Sequence, residues 1–253
     1  MTRIEEKKLR PIRIGCAGWS LSSKVAALFE GQGSHLERYA RVFDAVEINT
    51  SFYRPHQPKT YARWAASVPD AFRFAVKMPK TISHELRLRD ADDALERFME
   101  EAGALGDKLG CLLLQLPPSL TFDKASAETF FASLRRLTAL RVVCEPRHAT
   151  WFTEEATETL TKARIAAVLA DPPPIAGAEP AGDPKTLYVR LHGSPEIYYS
   201  AYDEGFIETL ATRALDARNA GVDVWCIFDN TARGAAVPNA LALTEALKVS
   251  TNG

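Results

Sequence analysis

The sequence predicts an α/β protein of the (β/α)₈ barrel class, built as a single domain. Its 253 residues match the typical length of such a barrel, about 250 residues. Short apolar runs alternate along the chain with longer amphipathic stretches, a pattern typical of parallel strands covered by helices. Polar residues collect at one end of almost every apolar run. We therefore expect one barrel over residues 1–253, with its core between about 12 and 248, and an open doubly wound sheet is the alternative.

The strands of this barrel are expected to be apolar almost throughout, because helices bury both faces of a parallel sheet. The runs that fit are 12–16, 45–49, 72–77, 111–116, 140–145, 165–170, 187–192 and 224–228. The helices predicted around them are 36–42, 59–67, 92–109, 124–137, 154–164, 204–219 and 239–248. A proline-rich loop at 171–185 follows the sixth strand and is predicted to form a semi-rigid wall.

The composition indicates neither a general nucleic-acid binder nor a membrane protein. The net charge is −1 and the pI is near 6.5, whereas nucleic-acid-binding domains are usually basic, although a local basic patch remains open. The first ten residues are too charged for a signal peptide, and no apolar run approaches the ~20 residues of a membrane span. We predict a cytoplasmic protein with no membrane partner. Its four cysteines lack a C-x-x-C spacing and are predicted to be buried, reduced thiols.

Polar residues at the strand ends form the candidate site. The carboxyl ends of barrel strands converge on one face, which is where barrel enzymes place their active sites. Charged groups are costly to bury, so their repetition at these ends points to a site. Side chains two residues apart share one side of a strand, so such pairs can point into the mouth together. The candidates are Glu47, Asn49, Tyr53, Lys77, His84, Gln115, Glu145, Arg147, His148, Asp171, Arg190, His192, Asp229 and Asn230.

Several of these residues lie in motifs that resemble the YecE-like family of unknown function. The motifs are VEINTSFY at 46–53, FRFAVK at 72–77, LQLPP at 114–118, EPRH at 145–148, VRLHG at 189–193 and FDN at 228–230. The resemblance runs from about 12 to about 243. It implies a TIM-type barrel, distantly similar in shape to those of endonuclease IV and xylose isomerase, and it implies no established activity. The chain departs from the family at Pro146, where members often have Phe, at Asp229, where they often have Asn, and at Cys16 and Ala17, where a Thr-Ser pair is usual.

The cations among the candidates favour an anionic ligand. Arg recognises phosphate bidentately, so phosphate is the first expectation, and the predicted partner is an anionic small molecule or a nucleic acid. The alternative is internal pairing, in which Glu47 and Glu145 neutralise Arg190 and Arg147. The site also contains carboxylates and histidines of the kind that bind hydrolytic metals. No compact H-x-x-x-H pattern is present and neighbouring cations oppose a metal, so no metal ligands are predicted and the cofactor is left open.

Three functions fit these residues. The first is an enzyme that hydrolyses a phosphorylated or nucleic-acid-like substrate by acid–base catalysis. Glu145 and His192 would be its proton-transfer pair, with Asp171 as a further catalytic candidate. The anionic oxygens would be held by Lys77, Arg147 and Arg190. The second is metal-free isomerase or lyase chemistry on a small sugar phosphate, and the third is non-catalytic binding of nucleotides or nucleic acid. The substrate and the oligomeric state are left open.

Overall fold

The alternation of strands and helices predicted from the sequence is present in the computed structural model, which describes residues 10–23, 25–179 and 181–251. The prediction that the first ten residues do not form a signal peptide concerns mainly residues 1–9, which lie outside the described residues. The strands are β1 (Arg13–Cys16), β2 (Ala45–Ile48), β3 (Arg73–Lys77), β4 (Leu109–Gln115), β5 (Val142–Glu145), β6 (Ile165–Ala167), β7 (Leu169–Asp171), β8 (Thr186–Leu191) and β9 (Asp223–Phe228). The α-helices are α1 (His35–Tyr39), α2 (Pro58–Ala66), α3 (Asp92–Gly103), α4 (Lys124–Leu137), α5 (Glu154–Lys162), α6 (Glu204–Asn219) and α7 (Ala236–Thr251).

Every strand pairing is parallel, as expected, but the strands form two separate sheets. One sheet has the order β1-β9-β8-β7 and the other the order β2-β3-β4-β5-β6. A mixed α/β fold with parallel sheets is therefore confirmed, whereas a single closed eight-stranded barrel is not. Side chains and a loop at the two places where the sheets adjoin explain this difference.

At the first of these places, a tyrosine side chain stands between β1 and β2. The backbone N–H of Cys16 donates to the Tyr39 hydroxyl at 2.8 Å, and that hydroxyl donates to the carbonyl of Ala45 at 3.0 Å. A carboxylate acts in the same way nearby, because Asp44 Oδ1 accepts from the N–H of Ile14 at 3.2 Å. The two backbones are thus bridged through side chains, which satisfies buried polar groups without a direct strand ladder.

At the second place, the run predicted as one strand over 165–170 is divided between the sheets. The strand β6 pairs with β5, and β7, which begins after Val168, pairs with β8. The end of the proline-rich loop occupies the other edge of β6. The N–H of Ala167 donates to the carbonyl of Ala181 at 2.7 Å, and the N–H of Asp183 donates to that of Ile165 at 2.9 Å. Gly182 permits this approach because a Cβ there would lie 2.1 Å from the Ile165 oxygen, and its φ of +81° favours glycine.

Two apolar clusters show which side of each strand faces inward. The inner cluster takes residues from both sheets at alternate positions: Ala45, Ala75, Cys111, Leu113, Val143, Ala166, Val168, Ala170, Tyr188, Trp225 and Ile227. A larger cluster lies on the opposite side of the strands, where the helices pack. Because strand side chains alternate, the next inward positions toward the carboxyl ends are those of the predicted polar residues. All four cysteines are buried and free, as predicted.

The helices begin where the sequence supplies caps. Ser34 and Glu37 form a capping box at α1, and Asp123, Thr153 and Asp203 each accept a backbone N–H at the start of α4, α5 and α6. The predicted helix over 92–109 ends earlier, at Gly103, because Gly106 adopts a φ of +57° before β4 begins. In the part of the chain that the structure describes, no helix is long and apolar enough to cross a membrane.

Candidate functional site

Arg190 is the centre of the candidate site and is enclosed by three carboxylates. The side chain is 1% exposed. Its Nη2 donates to Glu47 Oε1 at 2.7 Å and its Nη1 donates to Glu145 Oε2 at 3.0 Å, while Nη2 also forms an ion pair with Asp229 Oδ2 at 2.9 Å. Burial alone would lower the Arg190 pKa, but the three carboxylates outweigh it and raise the pKa well above its ordinary value. Every guanidinium nitrogen donates to a carboxylate, so Arg190 is an internal counter-ion and has no nitrogen free for a substrate.

Tyr188 completes the partners of Glu47 and was not among the residues predicted from the sequence. Its hydroxyl donates to Glu47 Oε2 at 2.9 Å, and both side chains are fully buried. A sequence signal for it exists, because Tyr188 lies two and four residues before Arg190 and His192 and therefore shares their side of β8.

His192 stands between two carboxylates. Its Nδ1 lies 3.0 Å from Asp229 Oδ2, and its Nε2 lies 2.9 Å from Glu145 Oε1. A carboxylate accepts hydrogen bonds, so both ring nitrogens have reason to carry a proton. Burial alone would lower the His192 pKa, but these two hydrogen bonds outweigh it and raise the pKa. This shift favours the imidazolium form of the ring, which is a charged proton donor.

The two carboxylates beside His192 are held in the ionised state. Burial alone would raise the pKa of Glu145, but Arg190, His192 and Arg147 together outweigh it and lower the pKa well below its usual range. The pKa of Asp229 is also lowered, because Arg190 and His192 outweigh the effect of its burial. A carboxylate that holds its proton this weakly is a poor general base, so in the predicted Glu145–His192 pair Glu145 is an ionised hydrogen-bond acceptor and His192 is the group that can donate a proton.

Arg147 is the cation of this group with the greatest access to solvent. Its side chain is 17% exposed, compared with 1% for Arg190. Its Nη2 forms an ion pair with Glu145 Oε1 and lies 2.9 Å from His192 Nε2, so both donors converge on one carboxylate oxygen. Its Nε is buried and has no hydrogen-bond partner among the described residues. An unpaired N–H on a partly exposed guanidinium fits an anionic oxygen.

Lys77 lies at the end of β3, on the inward side marked by Ala75. The residue is 5% exposed, and its Nζ lies 4.2 Å from the centroid of the Phe52 ring. Among the described residues, Nζ has neither a hydrogen bond nor an ion pair. Burial, followed by the charge of Arg190, lowers the Lys77 pKa to about 8 even though Glu47, Glu145 and Asp229 act in the opposite direction. A substantial fraction of this amine is therefore neutral in weakly alkaline solution.

The amide side chains on either side of Lys77 carry unpaired oxygens. Asn49 directly follows β2 and Gln115 ends β4, so the two lie on the neighbouring strands of the same sheet. Asn49 Oδ1 and Gln115 Oε1 are buried and have no hydrogen-bond partner among the described residues. Buried acceptors of this kind are usually satisfied, so three unpaired polar groups, including the Lys77 amine, lie at the ends of the adjacent strands β2, β3 and β4.

The net charge of the central group is positive when His192 is protonated, the form that its raised pKa favours. Its cations are Lys77, Arg147, Arg190 and the imidazolium of His192, and its carboxylates are Glu47, Glu145 and Asp229. Four positive charges against three negative ones leave an excess of one. The internal pairing considered from the sequence is present for both Arg190, which pairs with Glu47, and Arg147, which pairs with Glu145, whereas Lys77 has no ion pair among the described residues. No group of three or more His, Cys, Asp or Glu side chains within the described ranges is arranged to hold a metal ion.

Five of the predicted residues lie apart from this central group. Asp171 Oδ1 accepts from the Tyr202 hydroxyl at 2.9 Å, and its position follows the inward-facing Ala170, which places it on the outer side of β7. His148 caps the short helix Ala149–Phe152 through its Nδ1. The others are Tyr53, which is 68% exposed, His84, which bonds Ser83 and contacts the Phe52 ring, and Asn230, which bonds Ser200 and Asn239.

Comparison with known proteins identifies a family. A family model described as "Protein of unknown function DUF72" matches residues 13–253. The UPF0759 protein YecE of Escherichia coli is 34% identical over 151 residues, which are 57% of this chain and 55% of that protein, so the match spans about half of each. The UPF0759 protein YunF of Bacillus subtilis is 22% identical over 96% of both chains. The resemblance to the YecE-like family that the motifs indicate is confirmed.

Solved structures of similar shape come from the same family. The crystal structure of a DUF72 family protein from Thermotoga maritima has a TM-score of 0.78 and 25% identity, over 94% of this chain and 99% of that one. The crystal structure of a DUF72 family protein from Enterococcus faecalis has a TM-score of 0.79 and 22% identity, over 94% and 96%. These similarities establish the fold.

Proposed function

The chain belongs to the DUF72 family of proteins of unknown function, and from the geometry of its own candidate site we propose that it is an isomerase or lyase acting on a small phosphorylated carbonyl compound. The observation that carries the proposal is the combination of an imidazole at His192 that lies between two carboxylates with an amine at Lys77 that has no hydrogen-bond or ion-pair partner among the described residues. Removal of a proton next to a carbonyl needs a base with a pKa near the working pH and an acid to protonate the carbonyl oxygen. Lys77 and His192 supply these two groups.

Arg147 supports the anionic character of the substrate. Its unpaired Nε and its partial exposure suit a phosphate or carboxylate oxygen at the rim of the site. The excess positive charge of the central group also favours an anionic substrate. The three carboxylates Glu47, Glu145 and Asp229 hold Arg190 and His192 in place and would position the acid without touching the substrate.

Hydrolysis of a phosphorylated or nucleic-acid-like substrate is the second candidate, and Arg147 together with the proton donor His192 favours it. Hydrolysis also needs a base that activates water. Glu145 is a poor base because its pKa is held far below the usual range, so Lys77 would have to take that role. For this reason we place hydrolysis after isomerase or lyase chemistry.

The same proposal treats residues 1–253 as one domain and the two sheets as parts of one closed barrel. The bridge through the Tyr39 hydroxyl and the direct passage of the chain from β6 to β7 support closure at both places. Closure would bring the ends of β2, β3, β5, β8 and β9 to one rim, where barrel enzymes carry out their chemistry.

The test is a set of activity assays with dihydroxyacetone phosphate and glyceraldehyde 3-phosphate. In deuterated water, NMR follows deuterium uptake at the carbon next to the carbonyl, isomerisation and cleavage, and a parallel assay follows phosphate release from phosphomonoesters, phosphodiesters and oligonucleotides. We expect enzyme-dependent exchange that His192→Asn lowers by roughly 10²–10⁴-fold, the usual contribution of a general acid. Arg147→Met should raise KM, whereas the matched control Arg136→Met, an exposed arginine of α4, should not. Failure to accelerate any of these reactions would overturn the proposal, and phosphate release alone would replace it with hydrolysis.

A further inference from the structure

Lys77 has the surroundings of a nucleophile, a role in which its nitrogen is bonded to the substrate carbon and no longer serves as the free base. Its amine is buried at an inward-facing strand end, in contact with an aromatic ring and without a carboxylate partner among the described residues. Structural lysines are usually exposed, and those that are buried are normally paired. An unpaired buried amine destabilises the protein, and such costs persist where function requires them.

We propose that Lys77 forms an imine with the carbonyl group of the substrate, and that the substrate is a phosphorylated hydroxy-aldehyde or hydroxy-ketone. The inference deepens the proposed function, on which it rests, by naming a covalent intermediate and a substrate class. The carbonyl is assigned to Lys77, the hydroxyl groups to the unpaired oxygens of Asn49 and Gln115, and the phosphate to Arg147.

The step balances without an oxidant or a further reactant. The lone pair of the neutral Nζ attacks the carbonyl carbon, and the electron pair of the C=O bond moves to oxygen, which receives one proton from the amine. The resulting carbinolamine loses that hydroxyl together with the second amine proton as water, and a C=N bond remains. Once its nitrogen is protonated, the imine is an iminium ion, which withdraws electrons from the neighbouring carbon better than the parent carbonyl does, and this is how a lysine assists isomerases and lyases.

The surrounding charges allow the amine to be neutral when it attacks. Glu47, Glu145 and Asp229 favour the charged form, while burial and the Arg190 charge favour the neutral form. His84, which also contacts the Phe52 ring, has a lowered pKa owing to burial and to the Lys77 charge, so it adds no competing cation at neutral pH. The net result is the lowering of the Lys77 pKa to about 8, and a depressed pKa is the usual means of activating a lysine.

The flanking amides are the reason for assigning hydroxyl groups to the substrate. Asn49 Oδ1 and Gln115 Oε1 can each accept a hydrogen bond from a hydroxyl on a carbon near the imine. A site that leaves such acceptors unpaired rejects ligands without hydroxyls, because the acceptors then stay unsatisfied. We therefore expect a plain keto acid to bind this site less well than a sugar-like carbonyl compound.

The experiment is reductive trapping with dihydroxyacetone phosphate or glyceraldehyde 3-phosphate and sodium cyanoborohydride. Reduction turns the imine into a stable secondary amine, so the protein should gain the mass of the probe less one oxygen atom. Peptide mapping should place the adduct at Lys77, and its rate of formation should rise with pH through about 8 as the amine loses its proton. Pyruvate, which carries no hydroxyl or phosphate, should label Lys77 at least tenfold more slowly.

Two lysine variants serve as matched tests. Lys77→Arg keeps the charge but cannot form an imine and should lose the adduct, whereas Lys80→Arg, a neighbouring exposed lysine paired with Glu85, should keep it. If Lys77→Arg does not fold, mapping of the wild-type protein decides alone. Labelling spread evenly over surface lysines, or no adduct at Lys77 with either phosphorylated probe, overturns the inference. Deuterium exchange without an adduct would refute the imine and leave the proposed acid–base function standing. The absence of both exchange and adduct would refute the imine and the proposed function together.

Discussion

Neutralising Glu145 tests whether the central ion pairs hold the fold together. Glu145 accepts from Arg190 through Oε2 and from Arg147 and His192 through Oε1, and it is 1% exposed. In Glu145→Gln the amide offers one oxygen in place of two, and its NH₂ group faces donors. The excess of one positive charge in the central group becomes an excess of two. Breaking a buried ion pair from one side in this way costs about 3–5 kcal/mol.

This cost is large for a protein of this size. A change of 1 kcal/mol shifts the melting temperature of a domain of 150–250 residues by about 2–4 °C. We therefore expect Glu145→Gln to melt roughly 6–20 °C below the wild-type protein. The matched control is Glu155→Gln, which removes the exposed ion pair with Lys124 and should leave the melting temperature within experimental error, since exposed pairs contribute little.

The assay is thermal unfolding at neutral pH, with urea unfolding to obtain the free energy. A double variant, Glu145→Gln with His192→Asn, should cost less than the two single variants added together, because the residues share one interaction, and the difference should be about 0.5–3 kcal/mol. A Glu145→Gln protein that melts with the wild-type protein, or above it, refutes the reasoning. That result would mean that the Glu145 carboxylate lowers the stability of the fold, and it would favour the role of a proton-transfer group predicted from the sequence.

Four further outcomes follow from the structure. Lys77→Met should stabilise the protein at neutral pH by up to ~3 kcal/mol, because burial disfavours the charged amine. In the wild-type protein, the free energy of unfolding should rise between pH of about 8 and 10.5, because the folded state has lost the Lys77 proton there and the unfolded state keeps it. Urea unfolding should show this rise in the wild-type protein and not in Lys77→Met. A flat wild-type profile would contradict the prediction. Tyr39→Phe should destabilise the protein by roughly 1–3 kcal/mol for each buried group that it leaves unpaired, at Cys16 and Ala45. The control Tyr53→Phe, at an exposed residue, should leave the melting temperature unchanged. Equal melting temperatures for the two variants would contradict the bridge. Inorganic phosphate should raise the wild-type melting temperature, by an amount equivalent to about 2.7 kcal/mol at a hundredfold excess over Kd, and should do so less in Arg147→Met; no shift at millimolar phosphate would argue against the anion site.

The strand alternation could be predicted from the sequence because apolar runs and their spacing are local properties. Most strand bounds agree with the predicted runs within two residues. The division into two sheets could not be predicted, because it depends on where one tyrosine hydroxyl and one glycine meet a distant strand edge. Neither the Tyr39 bridge to Ala45 nor the approach of Gly182 to Ile165 has a signature in the sequence.

The centre of the site could be predicted because alternation along a strand is regular. Glu145 and Arg147, and likewise Arg190 and His192, lie on the same side of their strands, and the structure brings all four together. Asp171 illustrates the limit of reading strand ends alone. It ends a strand as the others do, but its neighbour Ala170 occupies the inward side, so the carboxylate bonds Tyr202 instead. The partners of each charge also had to come from the structure, since they lie on strands far apart in the sequence.

The protonation state of His192 is the point on which the proposed chemistry depends most directly. It can be measured by NMR of the ¹⁵N-labelled imidazole rings, with His192→Asn used to assign its signals among the five histidines. We expect both ring nitrogens of His192 to carry a proton at neutral pH, since one faces Asp229 and the other faces Glu145. We also expect the ring to become neutral at a lower pH in Glu145→Gln than in the wild-type protein. A neutral His192 ring at neutral pH, with one nitrogen unprotonated, would contradict the assignment of this residue as the proton donor.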